Sequence, residues 1–133
     1  MKLYVGMGLT QAPKAFREDF QHELKSALRD IAGVSILDFV GLEGSTQGEV
    51  YSHDRTCTES ADLCVFIVDY PSIGLGIEIA FRLATGKSML VFAKKDVQIT
   101  RMLTGLCEVE NVPFHRYTTV GDIIRVTNEC ILA

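Results

Sequence analysis

Two acidic residues carry the chemistry this chain could do. Glu78 ends the stretch PSIGLGIE (71–78), directly after the apolar run in ADLCVFIVD. Asp54 lies upstream in YSHDRT. If the fold brought them together, one carboxylate could act as nucleophile and the other could assist proton transfer at a glycosidic carbon. Each also has a plainer reading. Glu78 could simply complement the dipole of the helix it opens, and Asp54 could be a solvated helix residue. The sequence by itself leaves both readings open.

Two glycine loops stand close to these acids: GMGLTQ (6–11) and PSIGLG (71–76). Glycine lets a backbone approach a ligand closely. A helix start presents free N–H groups that favour an anion. PSIGLG could therefore hold a phosphate, with the Ser72 hydroxyl as a further donor. The plainer reading is a tight turn. GMG is not the dinucleotide fingerprint, because Gln11 stands where GxGxxG needs its third glycine, and no P-loop lysine follows. His22, His53 and His115 receive no role. The cysteines, Cys57, Cys64, Cys107 and Cys130, include no CxxC pair and no nearby histidine cluster. They read as free thiols in a reducing cytoplasm, not as a zinc site.

The elements that must position these residues alternate. Strands are expected at 2–8, 34–40, 63–68, 88–93 and, more weakly, 113–117. Helices are expected at 14–31, 49–61, 77–85, 97–105 and 119–131. In the first helix Phe16, Phe20, Leu24, Ala27, Leu28 and Ile31 share a face, and in the last Val120, Ile123, Ile124, Thr127 and Ile131 do. Residues 63–68 form a continuous apolar run, as in strands buried on both faces of a parallel sheet. The expectation is an α/β fold: a single-domain, flavodoxin/Rossmann-like three-layer sandwich over 1–133 with a five-stranded parallel sheet. In such sheets, ligands bind beyond the carboxyl ends of the strands.

The bulk numbers agree with one domain. The chain has 133 residues, 47% of them apolar, and a net charge of −4. No basic run exceeds Lys94-Lys95, which speaks against nucleic acid or a membrane surface as partner. Apolar runs are too short to span a bilayer. The opening MKLYVGMG enters a strand pattern at once, with no expected signal peptide.

From Asp54 through ESADLCVFIVDYPSIGLGIEIAFRLATGK, the chain resembles the nucleoside 2-deoxyribosyltransferase superfamily. The likeness extends from the first strand to TRMLTG (100–105). It rests on the combination of AD, PSxGxGxE and GK at these spacings. It is nearest the branch that hydrolyses 2'-deoxynucleoside 5'-monophosphates; related hydrolases act on ribonucleotides such as CMP. The resemblance implies that Glu78 attacks the anomeric carbon and that Asp54 assists proton transfer and orients the site. It implies that Ser72, Gly74 and Gly76, with Gly6, Gly8 and Thr10 of the first loop, hold the phosphate. The transferases usually carry an aspartate at the position of Ser72, which receives a free 5'-hydroxyl. A serine can donate to a phosphate that an aspartate would repel.

The resemblance further implies that Thr100 reaches a neighbouring subunit's site in a homodimer with shared active sites, and that neither cofactor nor metal is required. Three departures stand out. The family's first-strand tyrosine falls at Leu3, one position before Tyr4, and a one-residue slip turns a strand side chain to the other face. Tyr4 is kept as a substrate-side candidate despite that slip. The first loop lacks the arginine of familiar relatives. Phe39 stands where relatives place a histidine near the base. Two other readings remain: a transferase that exchanges bases, predicting capture of the sugar by a second base, and a non-catalytic nucleotide-binding module, predicting binding without base release.

Overall fold

The computed structural model describes residues 1–38 and 44–133. The expected end of the second strand (39–40), the start of the loop after it (41–43) and Phe39 lie outside the described residues. Five strands form one parallel sheet: β1 (Lys2–Met7), β2 (Ser35–Leu37), β3 (Leu63–Ile67), β4 (Met89–Lys94) and β5 (Phe114–Tyr117). The helices are α1 (Gln21–Arg29), α2 (Gln47–Ser60), α3 (Ile73–Thr85), α4 (Arg101–Val109) and α5 (Val120–Leu132). The strand order is β2-β1-β3-β4-β5. The order in which strands are added reverses between β1 and β3, so the switch-point crevice opens at the carboxyl ends of those two parallel strands.

Strand alternation sorts the core into two layers. Leu3, Val5 and Met7 of β1 join Leu63, Val65 and Ile67 of β3, with Leu24 and Leu28 of α1 and Ile123 of α5. Tyr4 of β1 joins Cys64 and Phe66 of β3 on the other face, with Cys57 of α2, Leu75 and Ile79 of α3 and Cys107 of α4. Helices thus cover both faces, giving the three-layer α/β sandwich with a five-stranded parallel sheet.

Two boundaries differ from the sequence reading in ways that matter. The first helix opens as a π-helix over Ala15–Phe20 before α1 proper. More consequentially, α3 begins at Ile73, not near Ile77. Ser72 caps it, its Oγ accepting the Leu75 N–H at 3.1 Å. That cap, together with burial of Leu75 and Ile79, holds Gly74 and Gly76 helical despite their poor propensity. Gly86, at φ 71°, ends the helix in the left-handed cap that glycine favours.

Candidate active site

The switch point collects residues from four segments. Tyr4 projects from β1 to the α2–α3 side of the sheet, and its hydroxyl donates to Glu78 Oε1 at 2.6 Å. The register slip therefore does not turn this tyrosine away. Leu3 points into the opposite core layer, and Tyr4 is the side chain that meets the glutamate. Gly6 follows two residues on, on the same face. A Cβ there would lie 2.7 Å from Phe66 Cδ1 and 3.2 Å from Glu78 Oε1, so only glycine leaves room for the carboxylate.

Glu78 stands in the second turn of α3 and not at its start, where the helix dipole has largely faded. Its carboxyl is instead governed by its surroundings. Burial pushes it up to about 7, the Tyr4 hydrogen bond pulls against that rise, and the Asp54 charge adds to it. Asp54 projects from the middle of α2, half-buried, close enough for its charge to act on Glu78, Tyr4 and Cys57. The Tyr4 hydroxyl is held protonated by burial and by the neighbouring Glu78 charge. Cys57, one turn after His53 on α2, has its Sγ 3.5 Å from His53 Nε2, and burial raises its thiol above the ordinary range.

The first glycine loop meets the second at the same crevice. A Cβ on Gly8 would lie 2.8 Å from both Ser72 Cβ and the Tyr70 carbonyl oxygen. Gly8 is thus what lets the loop after β1 lie against the cap of α3. Thr10 is exposed in the turn closed by Ala12 N–H to the Leu9 carbonyl at 3.1 Å. At the start of α3 the amide of Leu75 goes to Ser72 Oγ and that of Gly76 to the Ser72 carbonyl at 3.2 Å. The amides of Ile73 and Gly74 occupy the first two helical positions, which have no intrahelical acceptor. Gly76 is accordingly a helical position with its amide engaged, in place of the loop position expected from sequence.

Thr100 sits elsewhere. It caps α4, accepting the Met102 N–H at 3.3 Å. It also lines a largely apolar cavity of about 350 Å³ with Ser72, Leu75, Ile79, Ile99 and Met102, a cavity that neither Glu78 nor Asp54 reaches. Ser72 borders both spaces. Among the described residues, no group of three His, Cys, Asp or Glu side chains could hold a metal ion, and no helix is long and apolar enough to cross a membrane.

Sequence reasoning passed over Arg82. It lies on the buried stripe Leu75–Ile79–Arg82 of α3, where a cation stands in an apolar row. That break in the stripe was the available signal.

Comparison with known proteins agrees with this picture. No family model matches the chain. Its fold is shared with the CMP N-glycosidase of Clostridium botulinum, at a TM-score of 0.74 and 18% identity over 96% of this chain and 98% of that one. It is also shared with the 2-deoxyribosyltransferase of Leishmania mexicana, at 0.57 and 15% over 69% and 63%. In sequence it is 34% identical, over 84 residues, to a Thermofilum pendens protein provisionally named 2'-deoxynucleoside 5'-phosphate N-hydrolase 1. These likenesses are to N-glycosidases and a deoxyribosyltransferase that share this fold. The matched segment makes up 62% of this chain and 58% of the Thermofilum protein. In sequence, the matched segment resembles that N-hydrolase.

Proposed function

We propose that this protein hydrolyses the N-glycosidic bond of a nucleoside or 2'-deoxynucleoside 5'-monophosphate, releasing free base and the sugar 5-phosphate. The observation that carries the reading is Glu78. It is a half-buried carboxyl at the β1–β3 switch point, pushed up to about 7 by loss of solvation and gripped by the Tyr4 hydroxyl. Such a carboxyl is ionised in a useful fraction near neutrality and is held in one orientation. The names of the Thermofilum relative and the Clostridium structure support the same bond and substrate class.

The nucleotide phosphate rests on the Ser72 hydroxyl, the first amides of α3 and the loop from Gly6 to Gln11. Binding there positions C1' against Glu78. Glu78 attacks C1' through an oxocarbenium-like state, and the C1'–N electron pair departs on the base nitrogen. Asp54 assists delivery of the proton that the base takes up. Water then attacks C1' of the glycosyl-enzyme, freeing the sugar phosphate and returning Glu78 to its carboxylate. Tyr4 keeps Oε1 engaged, which leaves the other carboxylate oxygen to face the sugar.

The active unit we propose is a homodimer joined through the face of α3 and α4. Ile73 is 87% exposed and Met102 84% exposed on that face, beside the apolar cavity that Thr100 and Ser72 border. Large apolar side chains this exposed suit an interface. A partner seated there would bring its Thr100 towards this crevice. The setting is the reducing cytoplasm, consistent with four cysteines that form no disulfide.

The test is base release, followed by chromatography, from a panel of ribo- and deoxynucleoside monophosphates and free deoxynucleosides, with and without an acceptor base. Free base from a monophosphate alone is the expected result. Exchange onto the acceptor from an unphosphorylated nucleoside would overturn it in favour of a transferase. Nucleotide binding without release from any of them would make the protein a binding module.

A further inference from the structure

Arg82 is fully buried, and although the Asp62 charge acts on it, it forms no ion pair among the described residues. All five of its N–H donors end on main-chain carbonyls. Nη1 donates to Thr58 at 3.0 Å and Ala61 at 2.8 Å. Nη2 donates to Asp62 at 3.1 Å and Ser88 at 2.7 Å, and Nε to Ser88 at 3.0 Å. Thr58 and Ala61 lie at the C-terminal end of α2, where helix carbonyls lack intrahelical donors and the dipole favours a cation. The last turn of α2 carries no basic residue of its own. Its capping charge is supplied by α3 through Arg82, and at the rim by Lys87, whose Nζ donates to the Glu59 carbonyl at 2.9 Å.

The two helices held by this clamp are the two that carry the acids. Arg82 lies one helical turn beyond Glu78 on α3. Thr58 lies one turn beyond Asp54 on α2, and its hydroxyl donates back to the Asp54 carbonyl at 2.7 Å. We propose that Arg82 is a positioning residue: it fixes α2 against α3 and so holds Asp54 at its working distance from Glu78. A methionine would fill much of the same space, but it would leave the end of α2 free to slide over an apolar surface. The planar guanidinium fixes both helices to the starts of β3 and β4 in one geometry. The role in turnover rests on the glycosidase reading above; the effect on the Glu78 carboxyl does not.

The experiment reads that carboxyl directly. The groups facing Glu78 are Tyr4 from β1, Asp54 and Cys57 from α2, and Cys64 from β3. Of these, Asp54 and Cys57 move if α2 moves. In Arg82→Lys, the Glu78 titration midpoint, followed by carbon NMR in the unliganded protein, should fall by about half a pH unit or more, as burial and the Asp54 charge both relax. In the base-release assay kcat should fall about tenfold or more, while KM stays within about threefold, because the phosphate loops do not touch Arg82. Lys87→Met removes a cap from the same helix end without touching the clamp and should leave the midpoint in place. A wild-type midpoint in folded Arg82→Lys overturns the proposal. Arg82→Met, which keeps the bulk without the charge, is the second variant if Lys is not accommodated. Failure of both to fold also overturns it, because Arg82 would then be a requirement of folding and not of position. If wild-type protein releases no base, the glycosidase reading fails while the midpoint still judges the clamp.

Discussion

Replacing Glu78 by glutamine should make the protein more stable relative to wild type as the pH rises, and the size of the effect follows from the site. The Glu78 carboxyl titrates at about 7 in the folded protein, against an ordinary value of 4.5. Between those two values the folded chain keeps a proton that the unfolded chain has released. Wild-type stability therefore falls across this window as pH increases, and the loss is complete above the folded value. A displacement of this size corresponds to about 3 kcal/mol, since each pH unit is worth about 1.4 kcal/mol. Glutamine has no proton to lose, and its amide oxygen can still accept the Tyr4 hydroxyl. The difference in unfolding free energy between Glu78→Gln and wild type should therefore grow in favour of the variant from about pH 5 to pH 7, then level off. Urea titrations of both proteins at half-unit pH steps measure it, and other groups that titrate in both proteins cancel in the difference. A difference that stays flat across the window would refute the claim that loss of solvation raises the Glu78 carboxyl. The same variant should show almost no base release while still binding nucleotide, and full turnover would remove Glu78 from the mechanism.

Three further outcomes are expected. Tyr4→Phe removes the hydrogen bond that pulls the Glu78 carboxyl down, so the acidic limb of the pH–kcat/KM profile should move up, by about one unit for a charge-assisted bond; an unmoved limb would contradict the pairing. Ser72→Asp keeps a good helix cap but sets a negative charge against the phosphate, so thermal stability should hold while KM for a monophosphate rises at least about tenfold; unaltered KM would take Ser72 out of the phosphate site. The double variant Ile73→Asp, Met102→Asp should be monomeric in sedimentation experiments where wild type is dimeric, and identical behaviour of the two would discard the α3–α4 interface.

The sequence made some features of this site plain and hid others for physical reasons. Leu63 to Val68 announced a doubly buried strand because every residue is apolar, and the structure places five of those six in β3. The start of α3 was hidden. Two glycines and a proline look like loop, and only the Ser72 cap with burial of Leu75 and Ile79 pulls Gly74 and Gly76 into the helix. The π-helical opening before α1 was also hidden, because the spacing of Phe16, Phe20 and Leu24 fits an ordinary helix. Tyr4 was the sharpest case. Whether a β1 side chain faces Glu78 depends on which layer each alternate position joins, and that is decided by pairing with β2 and β3, not by β1 itself. Arg82 was visible as a break in an apolar stripe, but its acceptors are carbonyls, which no residue type reveals.

The placement of β1 has a consequence for how the chain is made. Strand β1 is made before β3, yet it lies inside the sheet, between β2 and β3. The Lys2 amide waits for Asp62, 60 residues later, and Tyr4 waits 74 residues for Glu78. At ordinary synthesis rates the apolar LYVGM segment spends roughly 3–12 s without its β3 neighbour. Through that interval it is an unpaired strand edge, open to the wrong partner. The nascent β1 segment is thus vulnerable until the segment bearing β3, Ser72 and Glu78 emerges.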